Sequence, residues 1–257
     1  MSQQASKVAI VTGGGSGIGY SICRRLAMEK INVMVLDIDL SAAEKTVSDI
    51  YSFGGEAQAY DVDVSNRKQV TKAITKISEQ GAIDILINNA GIAHIGNIER
   101  ADEDALDRLY NINVKGVYNC MATAIPVMKK QTKAVIINMA SVAATVGLSD
   151  RFAYSMTKGA VVSMTLSVAK DYINEGICCN CISPGRVHTP FVDNYLEQTY
   201  PDNRDEMFDK LAKTQPIGRM GSPDEIAAMV AYLCSDEATF ITGSNFPIDG
   251  GFLTLNT

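Results

Sequence analysis

Roughly the first 185 residues alternate short runs of β-branched and other apolar residues with longer stretches of helical pattern. The pattern predicts strands at 7–11, 32–36, 56–64, 83–87, 134–139 and 177–183, and helices at about 18–30, 41–53, 66–80, 102–130 and 151–174. The predicted strands are almost wholly apolar, which is typical of strands covered by helices on both faces. The alternation therefore predicts an α/β fold with one doubly wound parallel sheet of about seven strands and right-handed crossovers.

The alternation breaks after Pro184. Residues 186–215 are polar with short helical pieces, and a segment of that length without a strand is often a functional lid. The pattern resumes at Ser222, which with Pro223 and Glu225 has the spacing of a capping box. A last short strand is expected at 245–248. Because no repeat or linker divides the chain, we expect residues 1–257 to form a single domain.

The charge balance excludes two classes of partner. The chain has 23 basic and 29 acidic residues, a net charge of −6, whereas nucleic acid and anionic membranes need a basic face. No apolar run approaches the roughly 20 residues of a membrane span. The leader "MSQQASK" lacks the apolar region of a signal peptide, so none is expected.

The six cysteines include the cluster "GICCNCISPG", which could suggest a metal site. Structural zinc usually draws on two separated ligand pairs, and the sequence offers no second cluster. We therefore expect no metal and interpret the cluster as a buried strand that uses cysteine as a small apolar residue. Free thiols are typical of a reducing cytoplasm, which is the location we expect.

The stretch "VTGGGSGIGYSIC" joins the first predicted strand to the first helix. Gly13 can allow a tight turn, while Gly17 and Gly19 allow backbone and a diphosphate, or helix and strand, to approach closely. The helix start would offer free N–H groups and a positive dipole end to phosphate. The spacing indicates a dinucleotide loop, although a loop of this kind taken alone can also be a simple turn.

Asp37 ends the second predicted strand, 18 residues after Gly19. A carboxylate there can accept hydrogen bonds from both hydroxyls of an adenosine ribose and would repel a 2′-phosphate. No basic residue stands beside it in "LDIDL", and Ser16 occupies a loop position where a phosphate-binding base could sit. The sequence thus favours NAD over NADP, the alternative for Asp37 being a solvated turn residue.

Tyr154 and Lys158 are four residues apart on a predicted helix and so share one face. A nearby ammonium favours the phenolate and would lower the pKa of the tyrosine. Alone, this pair could be a surface pair. It is accompanied by polar or glycine-containing motifs at 87–91, 137–144 and 183–185, each at the carboxyl end of a predicted strand, where α/β sheets bind ligands.

In combination these motifs resemble the short-chain dehydrogenase/reductase family. The resemblance extends from Val8 to Gly251 and rests on T-G-x-x-x-G-x-G at 12–19, N-N-A-G at 88–91, Ser141, Y-x-x-x-K at 154–158 and P-G at 184–185. It implies an enzyme with a Rossmann-type fold, a nicotinamide cofactor and a homotetramer or homodimer, of which we expect the tetramer.

The resemblance also implies residue roles. Tyr154 would be the general acid/base, Lys158 would lower its pKa and hold the nicotinamide ribose, and Ser141 would bind the substrate oxygen. Asn113 would support a proton relay through water to Lys158. Beside Tyr154, Lys158 and Asp37, the implied cofactor contacts are Gly13, Ser16, Gly17, Ile18, Gly19, Asp63, Val64, Asn89, Ala90, Gly91, Pro184, Gly185, Val187 and Thr189.

Three further residues fall in segments that can face a substrate: His94, Arg186 and His188. Such side chains would suit hydroxyls or a carboxylate, which Arg can bind bidentately. The run from Pro184 to Gly221 is similar to family members that oxidise sugars or keto-deoxy sugar acids, such as fucose-pathway dehydrogenases. The first expectation is therefore an NAD-dependent oxidoreductase that interconverts a secondary alcohol and a ketone on a sugar or sugar acid. Either histidine could instead be a loop or subunit-contact residue.

Three alternatives stay open. A 3-oxoacyl thioester reductase would usually need NADPH and a basic docking face, for which "KKQTK" (129–133) is the local candidate. A steroid or other lipophilic ketone could bind under an apolar lid that includes Phe191, Tyr195 and Phe208. A non-catalytic NAD-binding regulatory protein could share the fold, because fold alone does not establish activity.

Overall fold

The computed structural model describes residues 6–255, so the first five residues of the predicted leader lie outside the described residues. Seven parallel strands form one sheet in the order β3-β2-β1-β4-β5-β6-β7. Their bounds are β1 (Val8–Thr12), β2 (Asn32–Asp37), β3 (Ala57–Asp61), β4 (Ile85–Asn88), β5 (Ala134–Met139), β6 (Ile177–Pro184) and β7 (Asn245–Ile248). The order reverses between β1 and β4, which creates the crevice where doubly wound sheets bind ligands.

The α-helices cover both faces of this sheet, as the apolar strands require. They are α1 (Gly17–Met28), α2 (Leu40–Ser52), α3 (Arg67–Ser78), α4 (Glu103–Leu109), α5 (Gly116–Met128), α6 (Phe152–Tyr172), α7 (Pro190–Thr199), α8 (Arg204–Ala212) and α9 (Pro223–Cys234). The predicted capping box of α9 is confirmed, since Ser222 and Glu225 bond each other's backbone N–H groups.

Two apolar layers sandwich the sheet because successive strand residues point to opposite faces. On β1, Val11 is buried against α1, α2 and α9, whereas Ile10 is buried in the layer that includes α3, α5 and α6. The Rossmann-type doubly wound fold expected from the sequence is confirmed. Within residues 6–255 no helix combines the length and apolar character that a membrane crossing requires.

The helical region predicted over 102–130 extends without a gap from Glu103 to Met128, but its middle is not α-helical. A π-helical segment, Tyr110–Lys115, separates α4 from α5 and contains the buried Asn113. An insertion that widens one helical turn is a frequent feature of functional sites. The helical region predicted over 102–130 is therefore confirmed, and only the π-helical geometry of its middle was not predicted.

The cysteine cluster lies on β6, as predicted, with Cys179 and Cys181 buried and Cys178 partly exposed. Burial raises the pKa of the Cys181 thiol to about 11, so this thiol stays protonated at neutral pH. No group of three or more His, Cys, Asp or Glu side chains in the described part of the chain could hold a metal ion.

Candidate active site

The glycine loop between β1 and α1 has a backbone that only glycine adopts easily. Gly13 and Gly17 have φ of +63° and +53°, and a side chain on Gly13 would lie 2.9 Å from the Ala90 Cα. A side chain on Gly19 would overlap the Gly13 carbonyl. The loop is therefore closely packed against the start of its own helix and the end of β4.

The start of α1 is free to bind an anion. Ser16 occupies the N-cap position, yet its side chain makes no capping hydrogen bond, and the first turn from Gly17 through Ile18 to Gly19 contains no acidic residue. Since the first N–H groups of a helix lack intrahelical partners, this end presents donors and a positive dipole. A diphosphate fits that chemistry.

Asn89 and Thr12 hold the loop in place. The Asn89 side-chain amide donates to the carbonyls of Thr12 (3.0 Å) and Gly13 (3.1 Å). The Thr12 hydroxyl in turn accepts from the backbone N–H groups of Asn89 and Ala90, each at 3.0 Å. The Asn89 side chain is thus directed into the glycine loop, which makes it a positioning residue for the loop.

Asp37 ends β2 with its carboxylate against the same loop. Its Oδ2 accepts from the Gly15 N–H at 2.8 Å and its Oδ1 from the Asp39 N–H at 3.0 Å. Ile38, the next residue, is exposed, and no salt bridge within residues 6–255 neutralises Asp37. A negative charge therefore stands beside the glycine loop.

Asp63 and Val64 follow β3 at the same edge of the sheet. The Asp63 Oδ1 accepts from the backbone N–H (2.9 Å) and the hydroxyl (2.7 Å) of Ser65. Val64 is buried, and a side chain on Gly116 would lie 2.7 Å from one of its methyl carbons. Both residues therefore fix the turn that borders the cleft.

Ser141, Tyr154 and Lys158 meet at the end of β5. Ser141 accepts from the Ala143 N–H at 3.2 Å, and its hydroxyl acts to lower the pKa of Tyr154. The Lys158 ammonium is buried, donates to the Met139 carbonyl at 2.7 Å and lies 5.8 Å from the centre of the Tyr154 ring. The i, i+4 spacing on α6 thus places the cation and the phenol on one face, as the sequence predicts.

Burial has the largest effect on the pKa values of Tyr154 and Lys158. Burial raises the pKa of Tyr154 above its usual value, while the hydrogen bond from Ser141 and the charge of Arg151 act to lower it. Burial also lowers the pKa of Lys158 to about 8. Lys158 is not among the influences that act on this pKa here, so its role in lowering the pKa of Tyr154 stays a prediction. Desolvation outweighs the neighbouring charges, and the two lowering influences are Ser141 and Arg151.

Asn113 occupies the π-helical segment with its side chain fully engaged. Its Oδ1 accepts from the Ile92 N–H at 2.9 Å, and its Nδ2 donates to the Ile92 carbonyl (2.9 Å) and to the Thr157 hydroxyl (3.1 Å). A side chain on Gly91 would lie 3.2 Å from Asn113 Oδ1 and 3.5 Å from Lys158 Nζ. The bare Gly91 therefore leaves space between these two polar groups.

The segment after β6 closes the cleft from the opposite side. Pro184 is the buried last residue of β6, and a side chain on Gly185 would collide with Gln215 and Asp249. Val187 is buried and its backbone pairs with Gly221. Thr189 begins α7, and a side chain on Gly17 would contact it at 3.5 Å. The glycine loop and the segment after β6 thus face each other.

The three predicted substrate residues lie in different settings. The half-buried His94 ring packs against Gly96, and its buried Nδ1 has no hydrogen-bond partner. His188 is exposed and bonds Asp193 at 3.0 Å. The half-buried Arg186 donates weakly, at 3.4 Å, to the Thr214 hydroxyl.

Residues 186–215 contain the two helices α7 and α8, which pack on each other. Val192, Leu196, Ala212 and Met220 form a small buried cluster of their own, with Tyr195, Tyr200, Met207, Phe208 and Leu211 against it. Phe191 is exposed instead. These apolar side chains therefore mostly stabilise the segment itself.

One residue of the site was missed from the sequence. Arg151 stands at the N-cap of α6, half-buried, three residues before Tyr154. Its guanidinium donates to the His94 carbonyl at 3.4 Å, and its positive charge acts to lower the pKa of Tyr154. The i, i+3 spacing from Tyr154 was the available signal, because such residues share a helix face.

Comparisons with known proteins identify relatives over nearly the whole chain. A family model described as enoyl-(acyl carrier protein) reductase matches residues 13–253. The chain is 36% identical over 253 residues to 2-(S)-hydroxypropyl-CoM dehydrogenase 3 of Xanthobacter autotrophicus, covering 97% of this chain and 98% of that protein.

Two solved structures are similar over nearly their whole length. Levodione reductase superimposes with a TM-score of 0.93 at 32% identity, covering 97% of this chain and 98% of that chain. Aldohexose dehydrogenase of Thermoplasma acidophilum superimposes with a TM-score of 0.87 at 33% identity, covering 98% and 97%.

A glycine loop at the end of β1 and a serine, a tyrosine and a lysine at the end of β5 lie at the same edge of the sheet. Relatives named as dehydrogenases and reductases match over nearly the whole chain. The chain therefore belongs to the short-chain dehydrogenase/reductase family of oxidoreductases, which use nicotinamide cofactors.

Proposed function

We propose that the protein is an NAD-dependent dehydrogenase that interconverts a secondary alcohol and a ketone on a sugar or keto-deoxy sugar acid. The observation that carries the proposal is the grouping of Ser141, Tyr154 and the buried Lys158 at the end of β5, at the same edge of the sheet as the glycine loop. Support for the substrate class comes from the relatives, which include an aldohexose dehydrogenase and a hydroxypropyl-CoM dehydrogenase.

When bound, the nicotinamide exchanges a hydride with the carbon that carries the reacting oxygen. Gly13, Ser16, Gly17, Ile18 and Gly19 would hold its diphosphate, and Gly91 and Lys158 would border the nicotinamide ribose.

Tyr154 takes the proton from the alcohol oxygen during oxidation and returns it during reduction. Ser141 donates its single hydroxyl proton in a hydrogen bond to the same oxygen as negative charge develops there. Lys158 supplies a positive charge beside the phenol, and Asn113 positions the loop at Ile92 next to it. A water molecule beside Gly91 would transfer protons between Lys158 and the solvent, which is the proposed proton relay.

Asp37 supports NAD rather than NADP. Its carboxylate is unpaired by any cation in the described chain and is followed by the exposed Ile38 and Asp39. A 2′-phosphate at this position would meet two carboxylates and no basic residue, and like charges at contact distance repel by about 1 kcal/mol even in water.

The basic segment that a thioester reductase would need for docking is partly neutralised by acidic residues. In the segment 129–133, Lys129 pairs with Glu175 at 3.1 Å and Lys133 pairs with Asp236 at 2.9 Å. These ion pairs offset the basic charge that an acidic carrier would need. This observation and Asp37 both count against the thioester reductase.

We also propose that the protein is a homotetramer in the cytoplasm. In each subunit, residues 1–257 would form one domain and residues 186–215 its lid. Large apolar side chains are exposed on α5 and α6, namely Tyr118, Phe152, Met156 and Leu166. Phe240, after α9, is fully exposed at 103%. Such surfaces are typical of subunit contacts.

The test is a panel of sugars, sugar acids and simple secondary alcohols, with NAD⁺ and NADP⁺ in parallel, followed at 340 nm. We expect reduction of NAD⁺ with at least one sugar or sugar acid and much slower reduction of NADP⁺. No reduction with any compound would favour a non-catalytic NAD-binding protein, whereas faster reduction of NADP⁺ would contradict the role of Asp37.

A further inference from the structure

Thr157 lies on α6 between Tyr154 and Lys158, and its side chain is completely buried. Its hydroxyl donates to the Tyr154 carbonyl at 2.8 Å, within the same helix. The same hydroxyl accepts a hydrogen bond from the Asn113 Nδ2 at 3.1 Å. One buried hydroxyl therefore connects the helical turn that carries Tyr154 to Asn113.

The chemistry of the partners decides which group donates at each end of this connection. The Tyr154 carbonyl can only accept, so the single hydroxyl proton of Thr157 points toward it. The Thr157 oxygen then accepts one N–H of the Asn113 amide, whose other N–H is donated to the Ile92 carbonyl. The amide is thus held with its Oδ1 toward the Ile92 N–H and the space at Gly91.

This hydrogen bond also joins two separate elements. Asn113 belongs to the π-helical segment Tyr110–Lys115, whereas Thr157 belongs to α6. Among the residues from 6 to 255, no other hydrogen bond connects that segment to α6. The Asn113 Oδ1 and the Lys158 Nζ border the space at Gly91 from these two elements. Their separation therefore depends on how the segment and the helix are held together.

A second threonine on α6 makes the same kind of contact away from the site. Thr165 is also completely buried, donates to the Val161 carbonyl at 2.8 Å and accepts from the Asn138 Nδ2 at 2.9 Å. It lies about two turns further along the helix, and Asn138 in turn bonds Asn88 inside the sheet. Thr165 is therefore a matched reference for what such a contact contributes to packing alone.

We infer that Thr157 is a positioning residue that holds Asn113 at the proton relay beside Lys158. The inference rests on the proposed function, in which a water molecule beside Gly91 transfers protons between Lys158 and the solvent. Reacting groups must be held to within about 0.5 Å, and neighbouring side chains with fixed hydrogen bonds supply that accuracy. Loss of the Thr157 hydroxyl frees one Asn113 N–H and allows the π-helical segment to move relative to α6.

The kinetic test compares Thr157→Val with Thr165→Val, because valine has the shape of threonine without the hydroxyl. With the best alcohol of the panel, we expect kcat in Thr157→Val to fall about 10-fold and KM to change less than about two-fold. The solvent isotope effect on kcat should rise, because proton transfer through a displaced relay is slower. Thr165→Val should keep the wild-type kcat and isotope effect, although the melting temperatures of both variants fall by similar amounts.

A second pair of variants isolates the hydroxyl. Thr157→Ser keeps the hydroxyl and should keep most of kcat, whereas Thr157→Ala should lose as much as Thr157→Val. This pair gives the answer even where Thr157→Val does not fold. Equal losses of kcat in Thr157→Val and Thr165→Val, or in Thr157→Ser and Thr157→Ala, would overturn the inference, as would an unchanged kcat in Thr157→Val.

Hydrogen exchange separates this inference from the proposed function, because it needs no turnover. In the protein without substrate, we expect faster exchange over 110–116 in Thr157→Val than in the wild type, and an unchanged rate there in Thr165→Val. This result in a protein that oxidises no alcohol would support the positioning of Asn113 and refute the proposed reaction. Wild-type turnover with unchanged exchange over 110–116 in Thr157→Val would uphold the reaction and refute the positioning role.

Discussion

The glycine loop and the segment 186–215 face each other across the cleft, and they are held in different ways. The loop is fixed by backbone geometry and by bonds from Thr12, Asn89 and Asp37 within the sheet edge. The segment 186–215 has a small apolar cluster of its own and an exposed ion pair between Asp193 and Arg204.

The difference indicates which properties each side controls. A loop fixed by the backbone is preformed and tolerates few changes, which suits a cofactor common to a whole family. A segment held by exchangeable side chains can vary without disturbing the sheet, which suits the choice of substrate. Substitutions in the glycine loop should therefore mainly affect the cofactor, and substitutions in the segment 186–215 should mainly affect the substrate.

The largest effect is expected at Tyr154, between the two regions. Tyr154→Phe removes the hydroxyl that transfers the proton, so kcat should fall at least about 100-fold, while the dissociation constant for NADH changes little. Stopped-flow or steady-state rates at 340 nm and NADH fluorescence titration measure the two quantities. Near-normal turnover would remove Tyr154 from the mechanism.

Asp37→Asn sharpens the comparison on the cofactor side. The amide oxygen can still accept the Gly15 N–H, but the charge is lost, so the ratio of kcat/KM with NAD⁺ to that with NADP⁺ should fall about 10-fold. Glu44→Gln, an exposed change on α2 that also removes one negative charge, is the control. An unchanged ratio would show that Asp37 does not select the cofactor.

The smallest effect is expected in the segment 186–215. Asp193→Asn weakens its bonds to His188 and Arg204, and exposed pairs contribute about 0.2–1 kcal/mol. KM should rise two- to three-fold at most, and hydrogen exchange over 186–215 should become faster, as measured by mass spectrometry. Glu197→Gln, an exposed change on α7, is the control. A large loss of NADH binding would contradict the separation of the two regions.

Much of the fold followed from the sequence because apolar strands and glycine positions are local features. The bounds of β5 and the capping box at Ser222 were predicted as found. The glycine loop and the Tyr154–Lys158 face were predicted for the same reason, since each depends on spacing along one element.

Features that depend on neighbours from other elements were not predicted. The widened turn at Asn113 leaves the helical pattern intact, so the sequence carried no sign of it. The raised pKa of Tyr154 depends on burial among several elements. Such properties arise only when the chain is folded.

The most direct test is the pH dependence of kcat/KM for alcohol oxidation in the wild type and in Ser141→Ala. Oxidation requires the Tyr154 phenolate, which exists above its pKa, so the wild-type rate should rise toward alkaline pH. Ser141 lowers that pKa, so Ser141→Ala should move the rise to higher pH and reduce the rate about 100-fold. A flat profile, or a rise at the same pH in both proteins, would contradict the assignment of Tyr154 as the proton-transferring group.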